Sequence, residues 1–493
     1  MKQDQADTNI KIEARSFFLA AVIILALMIV SGALTKILPA GSYDRIDSEG
    51  RTLVVNGSYR EIAKPDYPFW RWFTAPVEVL FGPDNITPII LVIFFIVVGG
   101  AITILDKAGV MKALVSFLVT RFAKRKYALI VVMIFFFMAA ASFVGMYEEM
   151  VPLIIFIIPI AVSLGWDSLT GLGMSLLPMA FGFAAAVTNP FSIAVAQKIA
   201  NLPLFSGASL RLVFFAVIFL LVCFFVLRYA KKVERNPQSS ICYKEDEALR
   251  QKLGSSDNKE QGMFNGEQIS ISAGQWRALI WFASCVAAAM IFALVSSRIP
   301  AITDLAFPVL ILMFLIGGTV GGSFAGLTAA QNWKAFGRGA LNFLPGVILV
   351  LMAYSVKHII SAGMIMDTIL YRAAEIISRS SSVTAAFLVY AATLVMEFFI
   401  GSASAKAFLL MPLLTPLADL VGITRQTAVL AFNFGDGFSN VIFPTNALLL
   451  IALSLTVVSY TKWLRWTWLL QMAVLVITCI FLVIAVKIGF GPF

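Results

Sequence analysis

Apolar runs separated by short polar breaks dominate the chain, and several exceed the ~18 residues that mark a helix able to cross a bilayer. Nine runs read as full spans: Phe17–Leu38, Ile86–Leu105, Thr170–Ala200, Leu210–Tyr229, Trp276–Val295, Leu305–Ala325, Asn342–Ile360, Thr427–Leu455 and Leu469–Val486. Two further apolar blocks, Tyr127–Leu164 and Val383–Val421, are interrupted midway. The first break is Gly145-Met146-Tyr147-Glu148-Glu149 and the second Gly401-Ser402-Ala403-Ser404-Ala405-Lys406. A pair of ordinary spans and a re-entrant hairpin both add an even number of crossings. The breaks favour the hairpin, because non-helical backbone at membrane depth is tolerated where it lines a cavity. Val110–Phe122, too short to span and carrying Lys112 and Arg121, and Met364–Ser378 predict amphipathic helices at the interface.

The second half repeats the first. Ala108-Gly109 recurs 254 residues later as Ala362-Gly363, and the interrupted blocks lie 256 apart. Spans broken at Thr188-Asn189-Pro190 and at Pro444-Thr445-Asn446 lie 257 apart, and Leu210–Tyr229 pairs with Leu469–Val486 at about 259. Trp276–Val295 is one extra crossing between the units, so the second repeat is inverted relative to the first. The expected fold is an all-α polytopic membrane protein of two inverted repeats, each with a re-entrant hairpin and a broken helix. Its parts are an N-terminal segment 1–16, a first repeat 17–231 with an external loop 39–85, a linker 232–275, a connecting span 276–298 and a second repeat 302–493.

Composition agrees with this class. Apolar residues make up 60% of the chain and charged residues 13%, against about 45–50% and 25% in soluble domains. The net charge of +10 does not point to nucleic acid, because Lys and Arg sit in short loops beside apolar runs, as the positive-inside rule expects. Lys11, Arg15, Lys124-Arg125-Lys126, Arg228, Lys231, Lys232, Lys334, Arg338, Lys462 and Arg465 place the N-terminus in the cytoplasm and the C-terminus outside. The polar linker 233–274 reads as a flexible cytoplasmic connection. Cys223, Cys242, Cys285 and Cys479 lack metal or redox spacing. No nucleotide loop, metal cluster or nucleophile triad is present, so no enzyme and no cofactor is expected.

The chemistry sits in the breaks. Carboxylates at membrane depth are rare unless paired or functional, and Glu148 and Glu149 beside Gly145 and Tyr147 suit a cation, a proton or an ammonium group. At the other tip, Gly401, Ser402 and Ser404 leave amides and hydroxyls free for a carboxylate. Lys406 there reads as either a ligand or a counter-charge. Thr188, Asn189, Thr445 and Asn446 flank freed backbone carbonyls, and Asp436, Ser439 and Asn440 precede the second break. Together these are candidate ligands for substrate and for a coupling Na⁺. Glu397 reads as a partner of Lys406 or a proton relay. His358, the only histidine, and Lys357 read as interface residues near a helix end, as do Asp106 and Lys107.

Gly145–Pro152 (G-M-Y-E-E-M-V-P), Gly401–Ala407 (G-S-A-S-A-K-A) and Phe434–Asn446 (F-G-D-G-F-S-N-V-I-F-P-T-N) resemble the YfcC family. That family belongs to the DcuC-like, C4-dicarboxylate anaerobic carrier group of the ion transporter superfamily. The resemblance covers the chain from Arg15 onward. It implies secondary transport through two opposed hairpins by an elevator-like movement in a bacterial inner membrane. It also implies a small-molecule substrate, coupling to Na⁺ or H⁺, and a homodimer. Superfamily relatives carry Ser-Asn-Thr at the tips, whereas this chain has Met-Tyr-Glu-Glu and Ser-Ala-Ser-Ala-Lys. Family members have been named as basic amino acid or arginine/ornithine exchangers. The charge count favours an amino acid over a dicarboxylate, since its ammonium meets the glutamates and its carboxylate meets the Ser-rich tip. A cation-coupled dicarboxylate carrier is the alternative.

Overall fold

In lipid no water satisfies the backbone, so long apolar runs close their hydrogen bonds internally as helices. The structure, a computed structural model, describes residues 14–48, 51–82, 85–111, 113–114, 117, 125–254, 271–296, 299, 302 and 305–491. The first repeat opens with α1 (Ala14–Ile37), followed by two small antiparallel hairpins. These pair β1 (Gly41–Ser42) with β4 (Arg60–Glu61) and β2 (Arg45–Ser48) with β3 (Arg51–Val54). Then come α2 (Arg71–Glu78), α3 (Ile86–Lys107), α4 (Lys126–Ala139), α5 (Ile154–Ser163), α6 (Ser168–Gly173), α7 (Leu176–Ala185), α8 (Ile193–Ile199) and α9 (Ala208–Arg235). The linker holds α10 (Glu247–Gly254), and α11 (Ala273–Ser296) is the connecting span. The second repeat is α12 (Ala306–Phe324), α13 (Ala329–Ala362), α14 (Met366–Ser378), α15 (Ser382–Glu397), α16 (Ala403–Val421), α17 (Arg425–Phe438), α18 (Ala447–Ser454) and α19 (Tyr460–Lys487).

Among the described residues, ten helices are long and apolar enough to cross a membrane. Two of them, Lys126–Val144 and Ala403–Val421, are hairpin arms, and the broken span α17–α18 consists of two shorter helices. Nine full crossings result. Side chains such as Phe18, Leu220, Leu341 and Leu469 stay exposed on the outer helix faces, where lipid replaces water.

Hydrogen bonds fix the inversion. At one end of the molecule the α1 C-terminus meets Gly363, and Pro39 O accepts from Thr368 Oγ1 at 2.9 Å. At the other end Gln275 reaches Ala108 O (3.4 Å), Gly274 abuts Phe324 at the end of α12, and Asn332 donates to Thr319 O (3.0 Å). The equivalent helices α1 and α12 therefore finish at opposite ends. Packing is reciprocal as well: α1 lies on α13 while α12 lies on α3, the exchange a two-fold relation demands. The hairpin bases also oppose each other. The linker docked at the base of the first meets the N-terminal end of α19 through the Glu245–Lys462 ion pair. The second meets its C-terminal end, where Thr424 Oγ1 donates to Phe490 O (2.6 Å).

The helices sort into two bodies. One holds α1–α3 and α11–α13, and the other holds the hairpins, the broken spans, α9 and α19. They meet where α13 packs on α18, where β3 and β1 rest on α16 and α14, and at the Phe156–Phe282 ring contact (5.5 Å).

Three expectations change. The basic turn before Asn342–Ile360 is helix: Thr328 and Gln331 form a capping box that starts the 34-residue α13 at Ala329, taking in Lys334 and Arg338. At 1.5 Å per residue this helix outruns a ~30 Å hydrocarbon core. Helices α9 and α19 are both 28 residues long and start 252 apart, at Ala208 and Tyr460, so the repeat offset does not rise to 259. The interfacial segment Val110–Phe122 is described only at residues 110–111, 113–114 and 117, of which Val110, Met111 and Ala113 are buried. Lys112, Arg121, Lys124 and the N-terminal residues up to 13 lie outside the described residues.

The linker is the third. Its first part docks instead of floating. Asp167 accepts from Tyr229 Oη and Ser240 Oγ (both 2.7 Å), and Asp246 accepts from Ser168 N (2.9 Å) and Ser168 Oγ (2.5 Å). Cys242 is fully buried between them. Composition hides such docking because each polar group has a partner. Burial, with Asp167 nearby, lifts the Asp246 carboxyl from its usual 3.8 to about 6, against the pull of Ser168 and Arg250. The docked carboxyl therefore holds a proton that a released one lacks between about pH 4 and 6, so docking is strongest below that window and weakens as pH rises through it. Asp246→Asn, neutral throughout, is expected to slow limited proteolysis of residues 237–254 at neutral pH. Faster cleavage of the variant would mean that the charged carboxylate holds the dock.

Candidate functional site

The first hairpin tip forms because its helix cannot continue. α4 widens into a π turn over Ala140–Val144 and ends at Gly145, whose φ is 81°. A side chain there would be strained and would strike Asn189 and the Phe191 ring. A 3₁₀ turn over Glu148–Leu153 restarts the chain toward α5. Glu148 keeps some exposed surface. Glu149 is buried with Oε2 unpaired. Tyr147 is also buried, with its hydroxyl unpaired and its ring 5.9 Å from Phe183. Glu148 lies within electrostatic reach of Asp436 on α17 and of Tyr354 on α13.

The second tip is different. Ser402 caps α16, accepting from Ala405 N (3.4 Å), and lies 3.5 Å from the Ser404 hydroxyl. Gly401 and Ser402 are exposed. Lys406, one turn on, is fully buried. Its ammonium pairs with Glu397 of α15 and, at 2.6 Å, with Asp436 Oδ1 of α17. Lys406 is therefore a counter-charge joining three helices, not an anion ligand at the open tip. Asp436 is presented where Gly437 lets α17 press on Ala184 of α7, where a Cβ would overlap the Ala184 backbone.

Both helix breaks are used differently from expectation. Asn189 was a ligand candidate, but its Oδ1 accepts from Phe191 N (2.8 Å) and Ser192 N (3.2 Å) and its Nδ2 donates to Ala141 O (3.3 Å). Thr188 Oγ1 donates to Phe143 O (2.9 Å), and Ser142 Oγ accepts from Val187 N (3.1 Å). These groups stitch the first break to the first hairpin, which leaves Asn189 no free polar atom. The carbonyls freed at the break are also taken. Arg211, fully buried, donates to Ala186 O (3.1 Å), Val187 O (3.0 Å), Phe205 O (3.2 Å) and Ser206 O (2.8 Å).

In the second break, Asn446 Oδ1 accepts from Leu449 N (3.1 Å) and its Nδ2 donates to Asn440 Oδ1 (2.7 Å). Ser439 Oγ donates to Gly435 O (3.0 Å). Trp463 Nε1 donates to Val441 O (2.8 Å) and Tyr460 Oη to Ile442 O (2.5 Å). Arg211 and Trp463 hold the fourth position of α9 and of α19, so each half ties its freed carbonyls with a donor from the next helix. Thr445 alone keeps a buried, unpaired hydroxyl there.

The expected residues thus divide in two. Glu148, Glu149, Glu397, Lys406 and Asp436 form one charged centre, whereas Thr188, Asn189, Ser439, Asn440 and Asn446 hold the breaks in shape. Sequence reasoning missed Arg211, Trp463 and Tyr354. An arginine one turn into an apolar span was the only signal for the first. Among the described residues no three His, Cys, Asp or Glu side chains form a metal-ligand set. His358 lies 3.3 Å from Glu78, which also pairs with Arg71 (2.6 Å); these contacts and Thr74 hold the Glu78 carboxyl near 2, against the opposing effect of burial. His358 thus ties α13 to α2.

A model of the C4-dicarboxylate anaerobic carrier family matches residues 17–487. The Escherichia coli protein named "Putative basic amino acid antiporter YfcC" is 31% identical over 475 residues, covering 90% of this chain and 91% of that protein. An uncharacterised protein of Haemophilus influenzae is 23% identical over an alignment of 532 residues, covering 98% and 99%. Among solved structures, the Alcanivorax borkumensis YdaH transporter matches with a TM-score of 0.40 and 15% identity, covering 97% of this chain and 99% of that one.

Proposed function

The chain belongs to the C4-dicarboxylate anaerobic carrier family and is a membrane transporter, and from that premise we propose that it exchanges amino acids bearing a cationic side chain, of the arginine or ornithine kind. One observation carries this reading. Lys406 gives its ammonium to Glu397 and Asp436, while Glu148 lies within electrostatic reach of Asp436 and Glu149 within reach of Glu148, so the carboxylates of this cluster outnumber its one ammonium. Unpaired carboxylates are costly at membrane depth, and a cation arriving between Glu148 and Asp436 relieves that cost. The substrate carboxylate would meet the exposed N-terminal turn of α16 at Ser402 and Ser404, where the helix dipole favours an anion. The name of the Escherichia coli relative agrees with this class.

Alternating access would follow from an elevator-like movement of the hairpin body against α1–α3 and α11–α13, in a bacterial cytoplasmic membrane. The basic residues Lys126, Arg228, Lys232, Lys334 and Lys462 support a cytoplasmic linker end, with the N-terminus inside and the C-terminus outside. A homodimer accords with the carrier families this chain resembles. A second reading draws on the family's description: a dicarboxylate binds the Ser402–Ser404 turn while the glutamates take the coupling Na⁺ or H⁺.

Thermal-shift and calorimetric titration of purified protein separate the two. Arginine or ornithine is expected to raise the melting temperature and to bind without added Na⁺. Stabilisation by succinate or fumarate, with amino acids inert, overturns the amino acid reading in favour of the second.

A further inference from the structure

We propose that Lys406 is a built-in competitor of the substrate cation: it is shared between Asp436 and Glu397 while no substrate is bound, and it withdraws to Glu397 when a substrate cation takes Asp436. This rests on the cationic-substrate reading and adds to it the residue that sets affinity.

The geometry carries the argument. Lys406 holds Asp436 through Oδ1 only, at 2.6 Å, and Asp436 Oδ2 is buried without a hydrogen-bond partner. One oxygen of this carboxylate is therefore still unpaired, on a residue within electrostatic reach of Glu148. Glu397 meets the same ammonium through Oε2, and its Oε1 is buried without a partner, so a place for Lys406 to retreat is already in contact. The move is a change of partner within one cluster, with no rearrangement of helices. Repeat architecture does not require the triad. At the repeat offsets of 256 and 257, Lys406, Glu397 and Asp436 correspond to Met150, Ala141 and Met179, all apolar, and the first half packs without them.

A buried charge that loses its partner costs several kcal/mol. An empty carrier with Asp436 and Glu397 unpaired would hold any cation too tightly to release it. Sharing Lys406 lowers that grip, because the arriving cation must displace an ammonium already in place. Turnover in an exchanger needs such moderate binding.

Two variants give opposite signs. Lys406→Met with Glu397→Gln removes the competitor and one carboxylate together, so the triad keeps its formal charge of −1. Arginine is expected to bind this double variant at least about tenfold more tightly than wild type by calorimetry, with a larger melting shift. Glu397→Gln alone keeps the Lys406–Asp436 pair and removes the place of retreat, so arginine should bind about tenfold more weakly while the melting temperature of the empty protein is retained. If wild type binds arginine and both variants bind it more weakly, Lys406 is only a structural counter-charge and the proposal falls. If the double variant does not fold, the single variant decides, since unchanged or tighter arginine binding overturns the proposal. If wild type binds no cationic amino acid, the substrate reading fails and this inference fails with it.

Discussion

Glu148→Gln protein is expected to insert, fold and melt near the wild-type temperature, yet to lose exchange by on the order of 100-fold. The amide matches the carboxylate in shape and is cheaper to bury, so stability should hold or rise slightly. What disappears is the negative charge opposite Asp436. Removing one partner of a desolvated ion pair costs about 2–5 kcal/mol, and 2.7 kcal/mol is a hundredfold at 25 °C. Glu149→Gln should have a smaller effect, because Glu149 is buried behind the tip while Glu148 keeps some exposed surface. Counterflow in proteoliposomes, with protein amounts matched, provides the check. Wild-type exchange in the Glu148 variant would remove that residue from the site.

The largest stability effect should come from Arg211→Met, a change that touches no substrate group. It removes donors to four carbonyls, two at the break after α7 and two in the 205–206 loop. The first two oxygens lie at the buried C-terminus of α7, where water is scarce and the dipole favours a cation. Each unsatisfied buried acceptor costs about 1–3 kcal/mol, and local relaxation recovers part, so a loss of roughly 3–5 kcal/mol is expected. Trp463→Phe, which removes one bond to Val441 O, should cost about 1–2 kcal/mol. Melting curves in one detergent test this ranking. An Arg211 variant as stable as wild type would mean that the break needs no tie.

Much of the fold was legible because lipid allows so few backbone solutions. Apolar runs, basic loops and the two Gly-containing interruptions carry spans, parity and hairpins, and the one extra crossing at α11 carries the inversion. The site was half legible. Glu148 and Lys406 stand out as charges within apolar blocks, but a charge does not name its partner. Lys406 lies 9 residues from Glu397 and 30 from Asp436, and only the packing of α15, α16 and α17 brings the three together. Thr188, Asn189 and Asn446 misled for a related reason. Side chains able to bind Na⁺ are also good caps and stitches, and a break creates the backbone groups that consume them. Arg211 was invisible as a tie because its acceptors exist only once α7 has stopped. The docked linker was hidden by its own satisfied polarity.

The most direct test of the account is counterflow with purified protein in liposomes. Vesicles loaded with unlabelled arginine should transiently accumulate external labelled arginine against its gradient, and empty vesicles or vesicles loaded with succinate should not. Accumulation of labelled succinate in succinate-loaded vesicles, with arginine inert on both sides, would contradict it.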